Sequence, residues 1–319
     1  MKRCLPLLLA CVACTVGAAE RLVYPMHSHG ADPEAYVVEL LRLALDHSGG
    51  DYRLEPSLEP VPQSRAQYSL EQNDGNFQVM WAMTTREREA VLAPIRIPIY
   101  KGLIGWRVPL VRADQAQRLA SINSLDDLKT LRIGQRHDWP DTTILRANGL
   151  TVLTSPSYEG LFRMLQAGRF DLFPREVVVA WDEEKRAREQ GLDLAVDEHL
   201  VLHYPTAFYF FTSKARPDLA AAIERGLEGA IADGSYDALF QRTHGESIRR
   251  ARLDQRRVIE LQNPDLPDTA PLGRAELWYD PLARPASARN ARADGKSREH
   301  PARLQAPNTT APVHTPGAP

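Results

Sequence analysis

Cysteine is nearly absent from this chain: Cys4, Cys11 and Cys14 are the only three in 319 residues, and all precede residue 20. A chain cut after residue 19 has no thiol, which excludes a structural disulfide, a cysteine nucleophile and a thiolate metal site. An excess of either charge is missing too. Lys plus Arg number 39 against 41 Asp plus Glu, so no clustered basic surplus points to a nucleic-acid partner. Past residue 19 no apolar run approaches the ~20 residues of a membrane span. Catalytic signatures are lacking as well: there is no GxSxG elbow, HExxH pair, Walker loop or GxGxxG, and the acids and histidines are scattered rather than set at a catalytic spacing. The expectation is a protein that performs no chemistry, carries no cofactor or metal, and acts as a monomer.

What is present begins with an export signal. Lys2 and Arg3 supply charge, the segment 5–16 supplies an apolar run, and Gly17-Ala18-Ala19 supplies the small residues of a cleavage site, so 1–19 reads as a signal peptide and the mature chain as periplasmic. Lipid attachment at Cys11 or Cys14 is the alternative, and the residues before them fit its pattern poorly.

From residue 20 to about 213, short β-type runs alternate with helical ones, the pattern of an α/β fold. The best-marked helix has Asp32 as N-cap and Pro33 at its first position. Tyr36, Val37, Leu40, Leu41, Ala44 and Leu45 form its apolar face, and Gly49-Gly50 stop it. Strands are predicted at 21–24, 52–54, 77–82, 102–111, 131–134, 151–154, 170–173, 200–204 and 207–212. Helices are predicted at 87–92, around 125–128, at 141–148, 158–167, 177–190, 217–232 and 235–243. The β segments at 102–111 and 206–212 bracket a middle unit, so the chain crosses to a second lobe and returns. Lobe one is expected to comprise 20–106 and 207–281, lobe two 107–206, with a two-strand hinge and a cleft between them. The stretch 262–281 is expected to strap across the domain surface. From 282 to 319, Pro, Ala, Arg, Ser, Asn and Thr dominate, too little apolar surface to offset ordering, and a disordered tail is expected.

Several segments together resemble the extracellular solute-binding proteins of the polar-amino-acid type. Met83-Thr84-Thr85-Arg86-Glu87-Arg88, followed by the run Pro94 to Tyr100, is similar to that family's Thr and Arg three residues apart ahead of a Ser-x-Pro-Tyr segment. Ser124-Leu125-Asp126-Asp127-Leu128-Lys129 and Arg132-Ile133-Gly134-Gln135 resemble the opening of its second lobe. Gly168-Arg169-Phe170-Asp171 resembles the Gly-Arg-x-Asp before that lobe's last strand. The resemblance spans about 22–240. It implies a type II periplasmic binding fold that captures a small polar, amino-acid-like or anionic solute for an ABC-type transporter, with a membrane permease or a receptor as partner. A sensory protein that keeps the fold without transport is the alternative. One departure is plain: His137-Asp138-Trp139 stand where the family places a glycine-threonine pair.

Candidate ligand-binding residues follow. The resemblance puts Arg88 at the family's carboxylate-binding arginine, where a planar guanidinium fork matches a carboxylate. Arg86 is the register alternative, and both can equally solvate a short helix. Thr84 belongs to the same run. The resemblance makes Glu176 the acceptor of a ligand ammonium, against a reading as an acid in the first turn of the next helix. Arg175 beside it would favour an anionic ligand if it faced the cleft. His137, Asp138 and Trp139 occupy a strand-to-helix loop, where open α/β sheets hold ligands; the competing account is a tight turn with Asp141 as N-cap and Trp139 over a core edge. Tyr24, Gln63 and Arg65 are candidate wall residues, and Trp81 is either wall or core. His27 and His29 lack a third metal ligand at recognisable spacing.

Overall fold

The structure is a computed structural model and describes residues 19–26 and 35–281. The expected signal peptide, the His27/His29 pair, the Asp32-Pro33 helix start and the tail from 282 lie outside the described residues.

Chain order begins with strand β1 (Glu20–Met26), helix α1 (Ala35–His47) and β2 (Tyr52–Pro60), which pairs parallel to β1. The six apolar residues predicted as the face of α1 are the six it buries, and burial of Val37, Leu40, Leu41 and Leu45 is worth roughly 1.5–3 kcal/mol apiece. Then come α2 (Gln63–Gln72), β3 (Val79–Met83), α3 (Arg86–Val91) and β4 (Leu92–Ile95). Far along the chain β11 (Phe208–Ser213) inserts between β3 and β4, antiparallel to both. Its aromatic run Phe208-Tyr209-Phe210-Phe211 suits a central strand, buried on both faces.

The middle of the chain builds a second group of sheets. It holds β5 (Trp106–Arg112), α4 (Leu125–Leu128), β6 (Arg132–Arg136), α5 (Pro140–Ala147), β7 (Thr151–Ser155) and α6 (Tyr158–Gln166). It continues with β8 (Phe173–Glu176), α7 (Ala180–Glu189), β9 (Leu194–Val196) and β10 (Leu200–His203). Ser124 and Asp127 form a reciprocal capping box on α4, and Ser157 caps α6. After β11 the chain forms α8 (Pro217–Ala232), α9 (Ser235–Ala251) and β12 (Arg257–Glu260). One sheet runs β12-β10-β5-β8 with β9 also on β5, while β6 and β7 pair parallel beside it.

Two stretches connect the sheet groups. Entering β5, Trp106 pairs with His203 and Arg107 with Leu202, and beyond His203 the chain passes on into β11. The Trp106 indole stacks on the His203 imidazole, centroids 4.0 Å apart at 25°. Gly105 permits this approach: a Cβ there would stand 2.3 Å from the Tyr204 carbonyl oxygen.

The stretch 262–279, the strap below, makes contacts with distant parts of the chain. Gln262 exchanges hydrogen bonds with Asn148, and Asn263 donates to the Pro205 carbonyl. Asp268 then pairs with Arg86 at 2.8 Å, Leu277 is fully buried, and the Tyr279 amide donates to the Lys101 carbonyl.

Some boundaries differ from the sequence prediction. The strand expected at 170–173 starts at Phe173, and the helix expected from 177 starts at Ala180. Polar Arg175 and Glu176 pair along β5 and so continue the strand. The short strands β4, β9 and β12 were not predicted, because each exists only through its neighbours β11, β5 and β10.

Candidate functional site

Arg88 sits at the heart of one cluster. Thr85 is in extended conformation and its hydroxyl accepts from the Arg88 amide, which caps α3. That cap turns the Arg88 side chain toward α2 and the end of β3. Its Nε donates to Gln67 Oε1 at 3.0 Å, one Nη to Gln63 Oε1 at 3.3 Å, and the other to the Met83 carbonyl. Every acceptor is neutral, and no described carboxylate forms an ion pair with it. Burial of the guanidinium is the main cause that pulls its pKa down to about 10, with Glu87 opposing weakly. A desolvated cation without a counter-ion is costly unless something else meets its charge.

The neighbouring candidates divide. Gln63 belongs to the Arg88 cluster and also donates to the Trp81 carbonyl at 3.5 Å. Gln67, not singled out from the sequence, belongs with it; the one available signal was its place four residues after Gln63 on a helix. Trp81 is buried, its ring packed against Tyr24 and Phe210, so it is core and Tyr24 covers it. Thr84 is buried and donates to Glu89 at 2.7 Å, with Glu89 also held by Arg96. Arg65 is exposed. Arg86, the register alternative, is exposed and bound to Asp268 of the strap at 2.8 Å.

A second cluster is buried among β5, β8, α5 and α7. Arg107, 1% exposed, pairs with Asp141 at 2.8 Å and with Glu176 at 2.6 Å. Tyr204 donates to Asp141 from the crossover. Arg175 pairs with Glu183 through two bonds of 2.6 and 2.7 Å and with Glu176 at 3.1 Å, and Tyr158 donates to Glu183. The Arg175 guanidinium also lies 4.7 Å from the ring centroids of both Trp139 and Phe173. Burial works against its charge, yet Glu176 and Glu183 raise its pKa well above the ordinary value. For Glu176, burial pushes upward, but Arg107 and Arg175 outweigh it and hold the carboxyl at about 2.

This network corrects three expectations. Arg175 is not a free cation facing ligand. Glu176 lies on a strand rather than in a helix's first turn, and two arginines already meet its carboxylate. Asp141 is not the N-cap of α5, which is Trp139; Asp141 is turned inward to Arg107. In the loop before α5, His137 and Asp138 are exposed, with Asp138 paired to Arg136 at 2.8 Å. Arg107 was missed because it stands in a run that reads as an apolar strand.

The two clusters flank one crossover. Met83, whose carbonyl accepts from Arg88, pairs with Phe208, while Arg107 pairs with Leu202. Within the network two guanidiniums face three carboxylates, and Glu176 is its most accessible member, its side chain 23% exposed against 5% or less for the others. Among the described residues no group of three metal-ligating side chains converges, and no helix is long and apolar enough to cross a membrane.

No protein-family model matches the sequence, and no curated protein matches it. Solved structures do. An amino-acid ABC transporter substrate-binding protein of Streptococcus pneumoniae bound to L-arginine is 18% identical with a TM-score of 0.52, covering 71% of this chain and 95% of its own. A high-specificity arginine periplasmic binding protein of Salmonella typhimurium is 16% identical at a TM-score of 0.52, covering 70% and 99%. A histidine kinase sensor domain with similarity to periplasmic binding proteins is 16% identical at 0.50, covering 72% and 96%. At such identity the likeness establishes the fold: the two-lobed α/β architecture of periplasmic binding proteins, its lobes joined by crossing strands.

Proposed function

We propose that this chain is an exported solute-binding protein that takes up a zwitterionic, amino-acid-like molecule and delivers it to an ABC-type permease, with no turnover of its own. The lobes in this reading are 20–106 with 207–281, and 107–206, and the solute lies between them. The observation that carries it is Arg88: a guanidinium withdrawn from water, held by Gln63, Gln67 and a backbone carbonyl, and given no carboxylate. A ligand carboxylate supplies the missing charge in the planar geometry the fork prefers. Trp139 and the loop 137–139 close over the middle, as the position of that loop after β6 favours. The arginine-bound and the arginine-specific protein named above support a basic amino acid as the first solute to try.

A thermal-shift screen of amino acids, organic acids and amines tests this, since a solute that binds only the folded chain raises its melting point. A basic or polar amino acid is expected to raise it. Arg88→Ala should then weaken calorimetric affinity about tenfold or more without lowering the unliganded melting point. A screen with no shift, or a solute bound equally by Arg88→Ala, overturns the assignment.

The sensor domain of like fold supports a second reading, presentation of the bound solute to a receptor rather than a permease. Solute-dependent uptake by vesicles carrying a candidate permease separates the two.

A further inference from the structure

A different region carries charge that neither cluster uses. The segment 249–257 contains five arginines and a single acid, Asp254. Helix α9 ends in its midst, and Arg252 reverses the chain with φ 44 and ψ 49, a left-handed conformation that a non-glycine residue adopts at a cost. The reversal brings Arg249, Arg250, Arg252 and Arg256 to the wall of one cavity of about 360 Å³, faced by Trp181 and Glu184 of α7 and by Glu198 beyond β9.

The positive charge there is under-compensated. Glu184 lies 3.7 Å from Arg250 but is shared with Arg188 at 3.1 Å, and Glu198 stands 3.4 Å from Arg252. Arg249 has no ion-pair partner among the described residues. Arg256 is the most telling member. Its side chain is only 3% exposed, its Nε and Nη1 donate to the backbone carbonyls of Ala251, Asp197 and Leu200, and its Nη2 makes no hydrogen bond among the described residues. The carboxylate of Asp197 lies 4.0 Å off and is occupied by the amides of His199 and Leu200. The Arg256 guanidinium, anchored by three carbonyls with Nη2 unbonded among the described residues and ringed by three exposed guanidiniums, matches a ligand with several anionic oxygens. Trp181 adds a flat face, now covered by Arg250 at 5.2 Å.

We propose that this cavity is a second binding site, for a small polyanion carrying phosphate or several carboxylates, separate from the solute site at Arg88. Because its walls come from α7 and β9 on one side and the end of α9 on the other, the bound anion ties those elements together.

The test is calorimetric titration of the full chain with pyrophosphate, inorganic phosphate, citrate and a glutamate-rich peptide, at matched ionic strength. Saturable binding of pyrophosphate or citrate is expected, and which of the two binds more tightly distinguishes a phosphate from a carboxylate ligand. Affinity should be unchanged in Arg88→Ala and fall about tenfold or more in Arg249→Ala and in Arg252→Asn, the asparagine chosen because it tolerates the left-handed backbone. Both positions are exposed, and matching melting curves verify the fold of the variants. Added chloride should weaken binding through screening. No saturable heat with any small anion, affinity unaltered in both variants, or binding of the peptide alone overturns the proposal.

Discussion

The carboxylate of Glu176 lies 2.6 Å from the guanidinium of Arg107, a side chain almost wholly out of water. Attraction between the two has to offset their desolvation, and removing one partner leaves the other buried and under-paired. Glu176→Gln keeps the volume and abolishes the charge. Arg107 retains Asp141 and Arg175 retains Glu183, so the loss should fall near the low end of the range for broken buried pairs, about 3 kcal/mol. Urea denaturation reads it as a lower midpoint with an unchanged slope. An unaltered midpoint would mean the pair contributes little.

The same pair sets a pH dependence. The Glu176 carboxyl is held at about 2, below its ordinary 4.5, by Arg107 and Arg175 acting against burial. The unfolded chain therefore takes up the proton first as pH falls. The stability this group contributes is complete above about 4.5 and is lost between 4.5 and 2. Wild-type melting points should drop across that window, and the Glu176→Gln variant should lose part of the slope.

How far these features were legible depends on what each residue's pattern encodes. The apolar spacing in α1 identified its buried face completely, since hydrophobic periodicity reports burial directly. Arg88 was legible through its motif, but its reason for being there, neutral acceptors and no counter-ion, comes from Gln63 and Gln67 meeting it across space. Arg107, Arg175 and Glu176 misled in the opposite direction. Arg107 was hidden in an apolar run and Arg175 and Glu176 read as ligand-facing, because the partners from α5, α7 and β5 that make their burial tolerable lie far off in the sequence. The arginine run at 249–257 was visible as composition, yet nothing in the sequence indicated that a left-handed turn at Arg252 would gather it on one cavity.

His244 gives a second acid-sensitive element in a separate window. It is buried in α9 against Tyr36, Tyr100 and Phe240, with centroids 4.3, 5.6 and 5.4 Å away. Burial pulls its pKa down from 6.5 to about 4, so the folded chain holds it neutral while the unfolded chain protonates. Its contribution is complete above 6.5 and erodes as pH falls from 6.5 to 4, by about 3 kcal/mol over the window. In His244→Leu the stability curve between those pH values should flatten. A slope equal to wild type would assign the acid sensitivity to other groups.

The strap yields a prediction about coupling between distant positions. Trp278 donates its indole N–H to the Pro271 carbonyl at 2.8 Å and brings the edge of its six-membered ring against Gly102, where an added Cβ would come 2.4 Å from the ring. Gly102 also has φ 73, a left-handed conformation. Gly102→Ala thus incurs two penalties, of which only the clash depends on the tryptophan; the backbone strain, about 1–2 kcal/mol, does not. Trp278→Ala by itself removes packing over the Lys101–Leu103 turn and should cost about 3 kcal/mol or more if the site fails to collapse. In the double variant the clash disappears while the strain remains, so the combined loss should be smaller than the sum of the single losses. Urea midpoints of the four chains measure this directly. Strict additivity would show that the strap does not press on the turn in solution, and that the contacts from Asp268 and Tyr279 hold it there instead.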